Sequence, residues 1–313
     1  MNGVAPAHMI VQIYEIQDVR QAERCIASGV DHIGSVLLSE EVWHQPSVRD
    51  VILLSEGTEV KNSLIPLFGD MDILERSIEF YCPHYLHLCD SLTDHRGRPM
   101  GLEGILEFQL ALKEKFPDIG IIRSIPVPMA GMTQGFPALE IARTLEAASD
   151  LFLIDTWLER EIVNGYIGIT GRPADWDLSR ELVRQSAIPV ILAGGLSPEN
   201  VFEALLKVCP HGADSCTHTN QLDRGGRAVR FRKDFKKVRE FVQEVRRAER
   251  AIRNGAEGLR GRLEALEAEL RKRQASLPEH SVRPHQIMAI DSLEEEIAEI
   301  KKELGELVAR SER

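Results

Sequence analysis

Residues 187–217 read AIPVILAGGLSPENVFEALLKVCPHGADSCT, and this stretch decides the fold. A short apolar, β-branched run at Pro189–Ala193 precedes a helix-like stretch at Pro198–Val208, and a second short run follows at Ala213–Thr217. Strand, helix and strand in this order are typical of a βαβ unit, in which the two strands lie parallel. The stretch therefore predicts a parallel sheet covered by helices.

The same alternation recurs along most of the chain. We predict eight strands, at Ile10–Ile16, His32–Leu38, Ser63–Phe68, Tyr85–Cys89, Ile119–Val127, Leu151–Asp155, Pro189–Ala193 and Ala213–Thr217. The helices predicted between them are Val19–Ser28, Asp72–Tyr81, Leu102–Lys115, Ala138–Ala148, Leu178–Gln185 and Pro198–Val208. Eight strands with a helix after most of them favour an α/β fold of the (β/α)8 TIM-barrel type over an open sheet. In such a barrel the chemistry lies at the C-terminal strand ends and in the loops that follow them.

The length of 313 residues leaves room for an appendage beside a barrel of roughly 250 residues. We expect a barrel over residues 1–250 and a C-terminal helical hairpin over residues 251–313. Leucine and isoleucine recur there at spacings of three and four, which predicts two helices with narrow, coiled-coil-like seams. The seam residues are Leu259, Leu263, Leu266 and Leu270, then Leu293, Ile297, Ile300, Leu304 and Leu307.

Helix-breaking residues separate the two predicted helices of the hairpin. Pro278, Pro284 and two histidines interrupt the pattern, and Ser292 with Glu295 forms a capping-box start for the second helix. A two-helix hairpin has too little core alone, so it must pack on the barrel or on another copy of the chain. We favour self-association into a homo-oligomer through residues 251–313, with a helical arm on its own barrel as the alternative.

The formal net charge of −11 argues against a nucleic-acid partner, because phosphate contacts need a basic face. No apolar run approaches the length of about 18 residues that spans a bilayer, so we expect no membrane insertion. The cysteines form no CxxC pair, and the chain opens without an export signal, which indicates a reducing cytoplasm. They are Cys25, Cys82, Cys89, Cys209 and Cys216.

A phosphorylated small molecule is the ligand that the seventh and eighth predicted strands favour. Gly194 and Gly195 end a strand and let backbone N–H groups approach a ligand closely, and a helix start at 197–199 favours an anion. Thr217 and His218 follow the eighth strand and can donate to the same anion. Loops after strands seven and eight form the common phosphate site of this barrel class. The alternative is that the glycines serve only a tight turn.

Three motifs in one order carry a resemblance to a known family. LIDT at Leu153–Thr156 is followed by GITGRPADW at Gly168–Trp176 and by ILAGGLSPENV at Ile191–Val201. This order resembles the phosphoribosylanthranilate isomerase family of tryptophan biosynthesis, whose motifs read LLDT, GGTGxxFDW and L(S/A)GGLxPENV. GADSCT at Gly212–Thr217 is similar to the family's eighth strand, GVDVSSG.

The resemblance implies an Amadori rearrangement, in which an aldose amine becomes a ketose amine. It makes Asp155 the acid that supplies a proton to the ring oxygen. The base of the family is a cysteine at the end of the first strand, where this chain has Tyr14, followed by Glu15 in place of a glycine. Tyr14 is a catalytic candidate only if its pKa is strongly perturbed, because a tyrosine with its ordinary pKa near 10 is a poor base at neutral pH. Glu15 is therefore our candidate base, and its alternative role is a surface ion pair or a helix cap.

The predicted substrate pocket also departs from the family. Trp43, beside two acidic residues, stands where the family has an arginine that faces the aryl carboxylate. We expect the pocket to contain Gln12, Trp43, His87, Arg123 and Gly171. These departures predict a substrate that is a phosphorylated sugar or sugar-amine other than phosphoribosylanthranilate.

Two alternatives accompany this isomerase hypothesis. Histidines and carboxylates near strand ends could bind a metal, although their spacing gives no local support and we expect neither a metal nor another cofactor; these residues are His32, His87, Asp90, Asp155 and His218. The second alternative is a catalytically silent, ligand-binding or scaffold barrel. Glu15 and Asp155 converging across an open pocket would favour an enzyme, and Tyr14 closing its mouth would favour a binding protein.

Overall fold

A computed structural model of the chain describes residues 8–275 and 284–308. The chain divides into two compact units, one of which is His8–Ala248, while the other contains the helical residues from Glu249 onward. Within the described ranges, no helix is both long enough and apolar enough to cross a bilayer.

Eight parallel strands close into a barrel in the order of the sequence. They are β1 (Ile10–Ile13), β2 (His32–Leu37), β3 (Lys61–Pro66), β4 (Tyr85–Leu88), β5 (Gly120–Pro128), β6 (Leu151–Trp157), β7 (Val190–Leu192) and β8 (Gly212–Ser215). Closure is made by β1 against β8, where Ile10 pairs with Gly212 and Ile13 with Ser215. The predicted TIM barrel is confirmed.

A helix follows every strand of the barrel. The first seven helices are α1 (Val19–Ala27), α2 (Pro46–Leu54), α3 (Met71–Tyr81), α4 (Leu102–Lys115), α5 (Ala138–Leu145), α6 (Trp176–Gln185) and α7 (Val201–Val208). The sequence patterns did not predict α2. The predicted start of α7 at Pro198 was wrong by three residues, because Ser197–Asn200 form a turn in which Ser197 N–H donates to Asn200 Oδ1.

Alternating side chains of β6 build the barrel interior and carry a functional group to its end. Leu151 and Leu153 join a buried cluster that includes Tyr14 and Ile191. Asp155 lies two residues beyond Leu153 and lines a cavity at this end of the barrel. Residues two apart in a strand share a face. The alternation of side chains along β6 therefore directs Asp155 into the barrel interior, as it does Leu151 and Leu153.

A two-stranded antiparallel hairpin is inserted between β8 and the last helix of the barrel. It consists of β9 (Asn220–Leu222) and β10 (Ala228–Lys233). Its turn is held by Asp223, whose Oδ1 accepts from the backbone N–H groups of Gly225 and Arg227. No sequence pattern predicted this hairpin.

Two long helices complete the chain, α8 (Phe235–Ala275) and α9 (Pro284–Val308). In the second unit, α9 buries four of its predicted seam residues, and the four predicted seam residues of α8 are half-buried. Arg262 pairs with Glu296 and Lys301 with Glu267, so ion pairs join the two helices. The buried residues of α9 are Leu293, Ile297, Ile300 and Leu304.

The predicted boundaries of these two helices need correction. Ser292 lies inside α9, which begins at Pro284, so the capping-box start was wrong. Proline suits the first turn of a helix, where its missing N–H has no intrahelical partner to lose. The last barrel helix and the first C-terminal helix are one helix, α8. Pro278 lies outside the described residues, as does the side chain of Leu307.

Candidate active site

An open cavity of about 560 Å³ lies at the C-terminal ends of the barrel strands. Every barrel strand except β7 contributes to its wall, directly or through the residues that follow the strand. The wall includes Tyr14, Glu15, Val36, Ile65, Leu67, His87, Cys89, Ser124, Leu153, Asp155, Asp214 and Cys216, together with Tyr166, Ile167, Ile169 and Arg230. Most of this wall is apolar, and its carboxylates are concentrated on β1, β6 and β8.

A second cavity of about 310 Å³ adjoins the first and shares Asp155, Ile169, Asp214 and Cys216 with it. The structure brings the four predicted phosphate residues together on its wall with Gly171 and Thr170. Those four are Gly194, Gly195, Thr217 and His218. The two cavities therefore form one continuous site with the two aspartates at their junction.

The two glycines that follow β7, Gly194 and Gly195, are required by their backbone conformation and by close packing. Gly194 and Gly195 have φ of 75° and 58°, a left-handed backbone that favours glycine. A Cβ on Gly194 would lie 2.3 Å from Thr156 Oγ1, and one on Gly195 would lie 2.5 Å from the carbonyl carbon of Arg172. Gly194 and Gly195 therefore form a tight turn and also line the smaller cavity.

Asp155 is half-buried at the junction of the two cavities. Its Oδ1 accepts from the Thr156 N–H at 2.7 Å. Burial raises the pKa of Asp155 to about 6, against the lowering effect of that hydrogen bond. The loop after β6 covers it closely, since a Cβ on Gly168 would lie 2.2 Å from Asp155 Oδ2.

Asp214 on β8 is a second carboxyl group at the same junction, and the sequence analysis did not select it. Burial first, and then the negative charge of Asp155, raise the pKa of Asp214 to about 8. Its Oδ1 accepts from Gln12 Nε2 at 3.3 Å. The signal was available in the GADSCT motif, because Asp214 and Cys216 share the inward face of one short strand.

Tyr14 lies at the end of β1 within a chain of hydrogen bonds. Its hydroxyl lies 2.8 Å from Ser63 Oγ and 2.5 Å from His87 Nδ1, and His87 Nε2 lies 2.8 Å from Ser124 Oγ. Gly34 leaves space for the ring, since a Cβ there would lie 2.0 Å from Tyr14 Cδ1. Burial raises the pKa of Tyr14 well above 10 and lowers the pKa of His87 to about 3, so both groups are neutral.

Glu15 lines the larger cavity but is held in an ion pair. Arg230 Nε donates to its Oε1 at 2.5 Å, and Asn220 Nδ2 and the Phe231 N–H donate to its Oε2 at 3.1 and 3.2 Å. Burial alone would raise the pKa of Glu15, but Arg230 and Lys233 hold it below its ordinary value. These contacts weaken Glu15 as a base, although that role stays a prediction.

The other predicted pocket residues are dispersed. His87 and Gly171 line the cavities, whereas Gln12 lies inside the barrel, hydrogen-bonded to Asp214. Trp43 packs instead against the outer layer, in contact with Phe80. Arg123 is fully buried away from both cavity walls, where its Nη groups donate to the side chain and the carbonyl of Asp90.

The structure separates the residues considered for a metal site. Both ring nitrogens of His87 are engaged, and His32 Nδ1 lies 3.3 Å from Gln12 Oε1. His218 Nε2 donates to the Gly171 carbonyl at 2.9 Å. Among the residues that the structure describes, no three histidine, cysteine or acidic side chains form a group that could hold a metal ion.

Comparisons with known proteins agree with this geometry. A family model described as N-(5'phosphoribosyl)anthranilate (PRA) isomerase matches residues 107–244. The solved N-(5'-phosphoribosyl)anthranilate isomerase of Pyrococcus furiosus is 23% identical, with a TM-score of 0.52, covering 77% of this chain and 100% of its own. A phosphoribosyl anthranilate isomerase solved with reduced 1-(o-carboxyphenylamino)-1-deoxyribulose 5-phosphate is 18% identical, with a TM-score of 0.53, covering 76% and 99%. These two structures support the fold.

A curated relative supports more than the fold. The N-(5'-phosphoribosyl)anthranilate isomerase of Methanocella arvoryzae is 37% identical over 223 residues, which are 71% of this chain and 90% of the relative. With its barrel, its motif order and this identity over nearly the whole relative, the chain belongs to the N-(5'-phosphoribosyl)anthranilate isomerase family.

Proposed function

We propose that the protein is an aldose–ketose isomerase that acts on a phosphorylated sugar-amine through Asp155 and Asp214. The observation that carries the proposal is the pair of carboxyl groups, Asp155 half-buried and Asp214 buried, at the junction of a glycine-lined cavity and an apolar cavity. The phosphate belongs in the smaller cavity, beside Gly194, Gly195, Thr217 and His218. The sugar then spans the aspartates, and the substituent on its nitrogen enters the larger cavity.

The two carboxyl groups supply acid and base without the thiol of the family. The pKa of Asp155 is raised to about 6 and that of Asp214 to about 8, so the pair holds one proton between these pH values. The protonated member donates to the ring oxygen as the ring opens, and the ionised member removes the proton from C2. Tyr14 and Glu15 were the catalytic candidates from the sequence. In this scheme Tyr14 is a neutral residue of the cavity wall, and Glu15 forms an ion pair with Arg230.

N-(5'-phosphoribosyl)anthranilate is the first substrate to test. The expectation of a different substrate has no support from the relatives, because one at 37% identity carries this activity in its name. An apolar cavity of about 560 Å³ also suits an aromatic substituent on the sugar nitrogen.

The test is growth of a tryptophan auxotroph that lacks this isomerase, backed by conversion of purified substrate. We expect growth with the unmodified chain and none with Asp155→Asn or Asp214→Asn. Asp177→Asn is the matched control, since Asp177 is exposed and pairs with Lys207 on the barrel surface. Growth with both active-site variants would refute the assignment of the aspartates.

A ligand-binding barrel without catalysis is the second candidate. It is favoured by the neutral Tyr14 where the family has its base, and by the ion pair of Glu15. Tyr14 does not close the cavity, however, and leaves the two aspartates on its wall. Tight binding of the phosphorylated ligand with no turnover in the unmodified protein would establish this candidate instead.

A further inference from the structure

The inserted β9–β10 hairpin brings a cation to the wall of the larger cavity. Arg230 lies on β10, and its side chain is 38% exposed, whereas that of its partner Glu15 is 2% exposed. The contact with Glu15 is made through Nε, so it does not use the two Nη groups of the guanidinium. Of the described residues that line this cavity, Arg230 is the sole arginine or lysine.

A second cation, Lys233, lies behind Arg230 and also acts on Glu15. Lys233 lies on the same strand, is 1% exposed and donates through Nζ to the Cys216 carbonyl at 2.9 Å. Both Arg230 and Lys233 act on Glu15, so two cations face one carboxylate. Because Lys233 also neutralises Glu15, the Nη groups of Arg230 can attract an anion in the adjoining space, where the low dielectric strengthens the attraction.

The rest of the cavity selects the kind of molecule that carries this anion. Val36, Ile65, Leu67, Tyr166 and Ile167 form an apolar wall. Such a wall accepts a flat apolar group but leaves any charge on that group without a partner, unless a cation stands at its edge. Arg230 lines the same cavity, and its fork of N–H donors matches a carboxylate.

We propose that Arg230 binds a carboxylate on the apolar substituent of the substrate and so selects for substrates that carry one. This inference rests on the proposed function and adds a specificity residue to it. Glu15 is then a positioning residue that orients the guanidinium. Its own backbone has φ of 62°, a strained conformation for a residue other than glycine, and the three donors to its carboxylate hold it there.

The test is equilibrium binding by calorimetry to two probes. One is reduced 1-(o-carboxyphenylamino)-1-deoxyribulose 5-phosphate, and the other is the same compound without its carboxyl group. The unmodified protein should prefer the first by about ten- to hundredfold, the usual effect of a hydrogen bond to a charged group. Arg230→Gln should abolish most of this preference while affinity for the second probe stays unchanged.

Two further variants make the result interpretable. Arg227→Gln, on the turn of the same hairpin where Arg227 pairs with Asp223, should keep the preference. Because Arg230→Gln leaves Glu15 buried without its cation, the double variant Glu15→Gln/Arg230→Gln is measured as well, with thermal unfolding to confirm that it is folded. A folded double variant that keeps the preference would overturn the proposal.

The behaviour of the unmodified protein separates the two proposals. Equal affinity for both probes would overturn the role of Arg230 and leave the proposed function standing. Binding to neither probe would overturn both.

Discussion

Tyr14 occupies the position at which the family has its cysteine base, but its side chain makes hydrogen bonds inside the barrel instead. Its phenol joins Ser63 to His87 inside the barrel and stays protonated. We expect Tyr14→Phe to lower the free energy of unfolding by about 1–3 kcal/mol, because two buried polar partners lose a hydrogen bond. Turnover should change little, since the phenol exchanges no proton with substrate. Denaturant unfolding and a kinetic assay check both points.

The matched control for this variant is Tyr166→Phe, which removes another hydroxyl from the same cavity wall. A loss of turnover in Tyr14→Phe at unchanged stability would mean that the phenol takes part in proton transfer.

The pH dependence of kcat/KM should report the paired aspartates. Below about pH 6 Asp155 becomes protonated and the base is lost, and above about pH 8 Asp214 ionises and the acid is lost. We therefore expect a bell-shaped profile between these limits. A profile that rises steadily across the same range, as a single thiol base would give, would contradict the carboxyl pair.

Asp214 should also destabilise the fold at high pH. Its pKa in the folded protein is raised to about 8, so its neutral form is the one that the fold accommodates. Stability from this group is complete below the unfolded pKa and is lost as the pH rises through the folded pKa. We expect Asp214→Asn to raise the free energy of unfolding by on the order of 5 kcal/mol more at pH 9 than at pH 4. Denaturant unfolding at both pH values measures it, and an equal effect at both would contradict the raised pKa.

At the scale of elements, the loop after β6 covers Asp155 and holds two glycines with similar φ angles. Gly165 and Gly168 have φ of 83° and 102°. A Cβ on Gly165 meets nothing within 4 Å, whereas one on Gly168 would overlap Asp155 Oδ2. The same substitution at the two positions therefore separates backbone strain from displacement of Asp155.

We expect Gly168→Ala to reduce kcat/KM by about tenfold or more, because it moves Asp155 away from the substrate. Gly165→Ala should cost about 1 kcal/mol of stability and leave kcat/KM nearly unchanged. Equal activities of the two variants would show that the loop does not position the carboxyl group.

Elements with strong local patterns were predictable from the sequence, and long-range contacts were not. All eight barrel strands were found because β-branched runs stood between helical stretches. The β9–β10 hairpin was not predicted because its apolar–polar alternation is confined to the short run Val229–Arg232, among glycines and charged residues. Arg230 meets Glu15 across 215 positions of the chain, and no local pattern encodes that contact. The four residues predicted to bind phosphate line one cavity because each lies beside a strand end, and their binding role stays a prediction.

At the scale of the whole molecule, we expect the second unit to mediate self-association. Its internal seam is already buried between α8 and α9, so that seam is unavailable to another copy of the chain. Ile287 and Met288 on α9 are 49% and 69% exposed, and these two residues are the surface that we expect a second copy to cover. Sedimentation velocity should then give a multiple of the monomer mass, and Ile287→Asp/Met288→Asp should shift it toward the monomer. Met71→Asp is the control, since Met71 is an exposed methionine of the barrel. If the unmodified chain is a monomer, the alternative of a helical arm on its own barrel is favoured instead. Turnover per protein molecule should then be the same at all protein concentrations.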